Sequence, residues 1–194
     1  MENKVMESKI KLAKKIKIPS EVDIKVEGKK IEIIGPKGKL SKDFSNPIFD
    51  DEIDIRLEDR ELIIYSISDE RKLKAMVGTI SAHAKNMIIG VTKGYKYYMK
   101  IHYVHFPISV EAKKQGNKIE ILIKNFLGER KPRIVTLENV DIEVKGDTLI
   151  LKGIDKEVLG NAAGKIERAT KVKNRDRRVF TDGIYLFKKE VGMD

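Results

Sequence analysis

The sequence has no cysteine. That excludes disulfide staples, thiolate metal sites and cysteine nucleophiles, and it fits a reducing compartment. No apolar run approaches the roughly 18 residues that a membrane span requires, so no membrane association is expected. Residues 1–17 lack both the apolar stretch and the small-residue cleavage site of a secretory signal. Histidine is scarce, with only His83, His102 and His105. The spacing of His102 and His105 puts them on opposite faces of a strand, so they are not expected to share a metal. No Ser/His/Asp arrangement stands out, and His83 reads as a surface or packing residue on a helix.

The chain does have length, apolar content and charge. Its 194 residues allow one or two domains, and 41% hydrophobic residues can supply a core. Charged residues make up 36%, above the roughly 25% of an ordinary domain. Forty basic against thirty acidic residues leave +10. A salt-bridge-rich surface explains the 36% but not the excess, which points to a polyanionic partner, most simply nucleic acid. The charge is also segregated. Residues 41–61 are net −5, residues 165–178 net +5 and residues 1–17 net +4. One region is expected to avoid phosphates and others to attract them.

The chain repeats itself. Residues 18–33 (IPSEVDIKVEGKKIEI) align without a gap on 106–121 (FPISVEAKKQGNKIEI), with eight of sixteen positions identical, among them Pro19/Pro107, Gly28/Gly116 and Glu32/Glu120. Leu62-Ile63-Ile64 returns as Leu149-Ile150-Leu151, Gly78-Thr79-Ile80 as Gly164-Lys165-Ile166, and Thr92-Lys93-Gly94 as Thr181-Asp182-Gly183. In-phase blocks along the whole chain predict two homologous domains of about 88 residues. The expected division is a basic N-terminal extension over 1–15, a first repeat over 16–103, a second, RNA-binding repeat over 104–190 and a tail over 191–194.

Each repeat reads the same way. Residues 22–26 and 29–34 suggest a hairpin, Gly35-Pro36-Lys37-Gly38 a turn, and 53–57 and 62–67 further strands. Leu73, Met76, Val77, Ile80, Ala84, Met87 and Ile88 then follow helical spacing, predicting a helix over about 69–89 that starts at Ser68 or Asp69 and ends at Gly90, with a strand over 94–103. The second copy predicts strands near 108–113, 117–123, 133–137, 140–145 and 148–153. A helix capped by Asp155 and carrying Leu159, Ala162, Ile166 and Val172 follows, then a strand over 183–188. The predicted class is α+β: two tandem homologous domains, each an antiparallel β-sheet with one helix packed on one face.

Several segments invite a chemical reading. Gly35-Pro36-Lys37-Gly38 fits the G-x-x-G loop with which KH domains clamp a nucleic-acid backbone, but KH needs helices on both sides and these flanks read as strands. A tandem KH-like regulator, binding RNA as a free module, is kept as an alternative reading. Tyr95, Lys96, Tyr97, Tyr98 and Lys100 interleave aromatics with bases, as a stacking platform would, although an ordinary strand with aromatics on one face is the simpler reading. The acids at 50–54 (DDEID) read as a solvated loop; a hydrolase would need them as a metal cluster, and nothing spaces them as one.

The best functional signal is basic. Lys165, Arg168, Lys171, Lys173, Asn174, Arg175, Arg177 and Arg178 form one cluster, interrupted only by Glu167 and Asp176 among charged residues. Arginine forks suit bidentate phosphate contact. Asn125, Arg130, Lys131 and Arg133 form a second basic turn. No cofactor is expected.

Several strings taken together resemble one family: Gly35–Gly38, Asn86-Met87-Ile88-Ile89-Gly90-Val91-Thr92-Lys93-Gly94-Tyr95, His105-Phe106-Pro107-Ile108, Asn125-Phe126-Leu127-Gly128-Glu129 and Arg178-Val179-Phe180-Thr181-Asp182-Gly183-Ile184-Tyr185. The chain is similar over roughly residues 16–190 to the large-subunit ribosomal protein numbered six in the bacterial scheme and nine in the eukaryotic one. It lacks the closing Tyr-Lys-Gly-Lys-Gly string of the bacterial branch and resembles the archaeal and eukaryotic branch. Arg168 stands where that branch's C-terminal signature usually opens with glutamine. The resemblance implies a duplicated domain and no enzymatic activity. It implies a cytoplasmic location in the large ribosomal subunit, with ribosomal RNA and neighbouring ribosomal proteins as partners. The implied position is near the stalk base, in transient proximity to translation GTPases, with the second domain making much of the RNA contact.

Overall fold

The computed structural model describes residues 11–47, 49, 52–116, 118–176 and 178–193. The chain divides between Thr92 and Lys93 into two compact units. The first runs β1 (Leu12–Lys17), β2 (Asp23–Glu27), β3 (Lys30–Gly35), β4 (Gly38–Asp43), β5 (Ile53–Glu58), β6 (Glu61–Ser66) and α1 (Arg71–Thr92). The second runs β7 (Tyr95–His102), β8 (Ser109–Gln115), β9 (Lys118–Lys124), a 3-10 turn (Phe126–Gly128), β10 (Arg133–Glu138), β11 (Asp141–Lys145), β12 (Thr148–Gly153), α2 (Lys156–Ala169) and β13 (Gly183–Val191). Every strand pairing is antiparallel. The α+β class and its duplication, each copy with one helix, are therefore as the sequence predicts.

Each unit holds two sheets rather than one. In the first, β2-β3-β4 and β1-β6-β5 are separate; in the second, β8-β9-β10 stands beside β11-β12-β7-β13. The helix joins them. Leu73, Val77, Ile80, Ala84 and Val91 of α1 pack against Ile31 and Ile33 of one sheet and Ile16, Leu62 and Ile64 of the other. Each such buried aliphatic side chain contributes about 1.5–3 kcal/mol relative to exposure, which is why the 3.6-residue stripe dictates where the sheets meet. The hairpin turns correspond: Gly28 and Gly116 both sit in the left-handed region, at φ +60 and +61.

Several boundaries differ from the sequence reading, among them the start of α1 at Arg71 and the end of β13 at Val191. Leu12–Lys17 is a strand paired with β6, so the extension over 1–15 is partly sheet. The strand β7 pairs with β12 and β13, so it opens the second unit rather than closing the first. The cause is its inward face: Tyr95, Tyr97, Met99 and Ile101 are buried. The helix α1 runs through Gly90 to Thr92, and α2 stops at Ala169, short of Val172. The polar strand β4 has no counterpart in the sequence reading; it follows the turn at Gly35–Gly38 and pairs with β3. Among the described residues, no helix is long and apolar enough to cross a membrane.

Candidate nucleic-acid interface

The candidate basic surface begins at the C-terminal end of α2. Asp155 caps the other end, its carboxylate accepting from the Glu157 N–H at 2.8 Å. At the C-terminal end two side chains hold β13 in place. The Glu167 carboxylate accepts the Leu186 N–H at 2.8 Å, and the Thr170 hydroxyl accepts the Ile184 N–H at 3.0 Å. Glu167 is thus committed to backbone, and the acid it contributes to residues 165–178 is not a free surface charge.

Residues 171–176 and 178–182 lie in the loop segment between α2 and β13, and residues His102 to His105 anchor it. Asp182 is fully buried. Its carboxylate accepts from the Val104 N–H at 3.3 Å and lies 3.4 Å from the His105 ring nitrogen Nδ1. Burial alone would push the Asp182 carboxyl up; the hydrogen bonds from Val104 and His105 outweigh it and hold the group below its usual range. Phe180 stacks on the His105 ring at 4.4 Å between centroids, and the Arg175 guanidinium lies 4.7 Å from the Phe180 centroid. The His102 ring meets the Thr181 hydroxyl at 3.2 Å. Val172 is buried beneath the loop. A basic loop in this setting presents its charges from a fixed frame.

The candidate residues separate into two kinds. Lys165, Arg168, Lys171, Lys173, Asn174, Arg175 and Arg178 are exposed. Lys165, Lys171 and Lys173 have no ion-pair partner among the described residues. Arg178 pairs with Asp176 at 2.9 Å, an interaction that lowers the Asp176 carboxyl and raises the guanidinium. Arg177 lies outside the described residues. Of the second cluster, Arg130 and Lys131 are exposed and unpaired among the described residues.

Arg133 and Asn125, by contrast, serve the fold. The Arg133 guanidinium binds both Glu129 oxygens at 2.8 and 2.5 Å, donates to the Ala169 carbonyl at 2.6 Å and lies 4.2 Å from the Phe126 centroid. It ties the turn at 126–131 to the last turn of α2, which brings the two basic clusters together. Asn125, at φ +58, donates to the Pro107 carbonyl.

The remaining candidates resolve as packing. Strands β3 and β4 flank Gly35–Gly38, so the helices a KH loop needs are absent on both sides. The Lys37 N–H donates to the Val91 carbonyl at 2.9 Å, closing the C-terminal end of α1. Tyr95 and Tyr97 are buried in the sheet, and burial pushes the Tyr95 hydroxyl up to about 12. They are not a stacking platform. His83 packs against Phe44 with centroids 5.9 Å apart. Asp54 accepts from the Tyr65 hydroxyl, while Asp50 and Asp51 lie outside the described residues. Among the described residues, no group of three His, Asp or Glu side chains could hold a metal.

The fold defines a class first: a duplicated α+β protein with one helix in each copy. The Ribosomal protein L6 family matches residues 18–94 and 106–183. A large ribosomal subunit protein uL6 of Desulfurococcus amylolyticus is 46% identical over 181 residues, 92% of this chain and 95% of its own length. The one from Staphylothermus marinus is 47% identical over 174 residues, 89% and 91% of the two chains. That from Methanothrix thermoacetophila is 43% identical over 179 residues, 92% and 97%. The chain belongs to the ribosomal protein L6 family, in its archaeal branch. This is a structural, non-enzymatic family.

Proposed function

We infer that the chain is a structural constituent of the large ribosomal subunit that binds large-subunit ribosomal RNA through its second unit. We place that interface near the stalk base and the region engaged by translation GTPases, with neighbouring ribosomal proteins as further partners. The names of the relatives supply the particle, and the family resemblance supplies the stalk-base position. The observation that carries the RNA face is the loop over 171–182. It presents Lys171, Lys173 and Arg175 outward while Asp182, Phe180 and Thr170 hold its ends.

The mechanism is electrostatic and shape-based. Lysines and arginines displace counterions from phosphates, so affinity falls with salt. An ordered loop loses little side-chain and backbone freedom on binding, which leaves more of the interaction energy as affinity. The basic side chains address the RNA backbone and groove shape. Replacing Arg175, Arg177 and Arg178 together by alanine is expected to leave the circular dichroism intact. It should flatten the slope of log affinity against log salt by about 0.7–0.9 for each phosphate no longer neutralised. An unchanged slope in the folded variant contradicts this site.

A further inference from the structure

We propose that the first unit carries a strand-docking groove between the outer edges of β2 and β5, and that it takes an extended, lysine- and arginine-rich segment of another protein. Among the described residues, the strand β2 pairs only with β3, and β5 only with β6. Their free edges line an open groove of about 750 Å3. Ile24, Val26, Ile55 and Leu57 give it an apolar floor, and Leu57 is 45% exposed there. Glu27 and Glu58 stand on its rim. An extended peptide added to such an edge gains main-chain hydrogen bonds, and its alternate side chains reach the floor.

Natural proteins normally blunt a free edge. The other unit does so at β13, where the register shifts between Leu186 and Lys188 and two lysines follow. The registers of β2 and β5 run without a bulge.

The duplication provides an internal control. The pair Val26–Ile31 corresponds to Lys114–Ile119, and Asp54–Tyr65 corresponds to Asp141–Lys152. In the second unit Lys114 reaches across from β8 to Asp141 of β11 at 3.5 Å, so an ion pair bridges the corresponding gap. In the first unit the lysine position is Val26. Asp54 bonds instead to Tyr65 and Arg56, within its own sheet. The lysine that bridges the gap in the second unit has no counterpart at Val26, and the docked segment supplies a cation there.

Charge selects the occupant. Asp23, Glu27, Asp54 and Glu58 outnumber Lys25 and Arg56 along the two strands. That field repels RNA and a second copy of the same face, and it attracts a basic segment. Residues 1–10 hold two lysines and two glutamates, so they offer no such complement.

The test uses the full chain and a ten-residue peptide alternating lysine and valine, followed by amide hydrogen exchange. The peptide is expected to protect β2 and β5, and a glutamate–valine peptide is not. Glu27→Lys with Glu58→Lys is expected to weaken the protection about tenfold or more through like-charge repulsion. Val26→Lys, which restores the second unit's cross-groove pair, should abolish it; circular dichroism checks the fold of each variant, and the rim double variant stands if Val26→Lys fails to fold. The proposal is overturned by absent protection, by equal protection in the folded rim variant, by ribosomal RNA protecting the same strands, or by protection that grows with chain concentration without peptide. Failure of the peptide to protect β2 and β5 leaves the RNA face of the second unit untouched, and RNA protection of residues 171–182 is read on its own, so the two readings fail separately.

Discussion

The two units share an order of six strands and a helix, to which the second adds β13, but they do not share a surface. Through Thr92 the chain holds eighteen basic and sixteen acidic residues; from Lys93 onward it holds twenty-two and fourteen. The first unit is therefore +2 and the second +8. Arginine follows the same division, with three in the first and six in the second. The cores are alike, since isoleucine and leucine fill corresponding strands in both. Loops and edges have diverged: one copy has a pinned basic loop, the other an open acidic groove. A duplicated scaffold kept its packing and varied what lies outside it, as expected when function resides in loops held by a rigid frame.

The sharpest way to break the comparison is to strike a residue that looks alike in sequence but differs in role. Arg133→Ala removes bonds to Glu129 and Ala169 and exposes a helix end. It is expected to destabilise the second unit by about 3 kcal/mol, measured by urea unfolding, with the salt slope of RNA binding in the folded protein unchanged. Arg130→Ala should do the reverse, flattening the slope at no cost in stability.

The counterpart in the first unit is Gly35→Ala. Its new Cβ would lie 2.6 Å from the Val91 side chain and 2.9 Å from the Val91 carbonyl oxygen. Overpacking of this kind costs about 1–3 kcal/mol. Thermal unfolding should show the loss in the first unit alone, and RNA affinity should stay as it was.

Acid separates the units more gently. Asp182 titrates below its ordinary value in the folded chain. A depressed carboxyl contributes stability above its unfolded pKa, near 3.9, and that stability is lost as pH falls through the folded value. Glu129, held low first by its hydrogen bond to Arg133, acts in the same direction. As pH falls below about 4, the loop over 171–182 is expected to loosen, with its amides exchanging faster. Amides in the first unit serve as the reference. The smallest effect sharpens the RNA face itself. Asp176→Asn releases Arg178 from its carboxylate and should raise RNA affinity about two- to threefold, the size of an exposed ion pair; titration at fixed salt reads it.

Much of this is legible in the sequence, for physical reasons. The repeat, the helix stripes and the alternating strands all express local period, and the +5 run over 165–178 is a sum over neighbours. What stays hidden depends on long-range packing. Leu12–Lys17 looks like a basic tail because only Leu12 and Ile16 turn inward. The strand Gly38–Asp43 has one apolar residue, Leu40, and pairs with β3 across a turn that is fastened to Val91. The anchors Asp182, Phe180 and His105 meet across more than seventy residues, so no spacing rule connects them. Arg130 and Arg133 are three residues apart and chemically identical; only the fold makes one a candidate phosphate ligand and the other a structural tie.

Hydrogen exchange of the full chain, with and without large-subunit ribosomal RNA, tests the account most directly. The account predicts new protection over residues 165–178 and 128–132, with β5 and its acidic neighbours over 53–61 unchanged. Protection over 53–61, with 171–182 exchanging as freely as before, would contradict it.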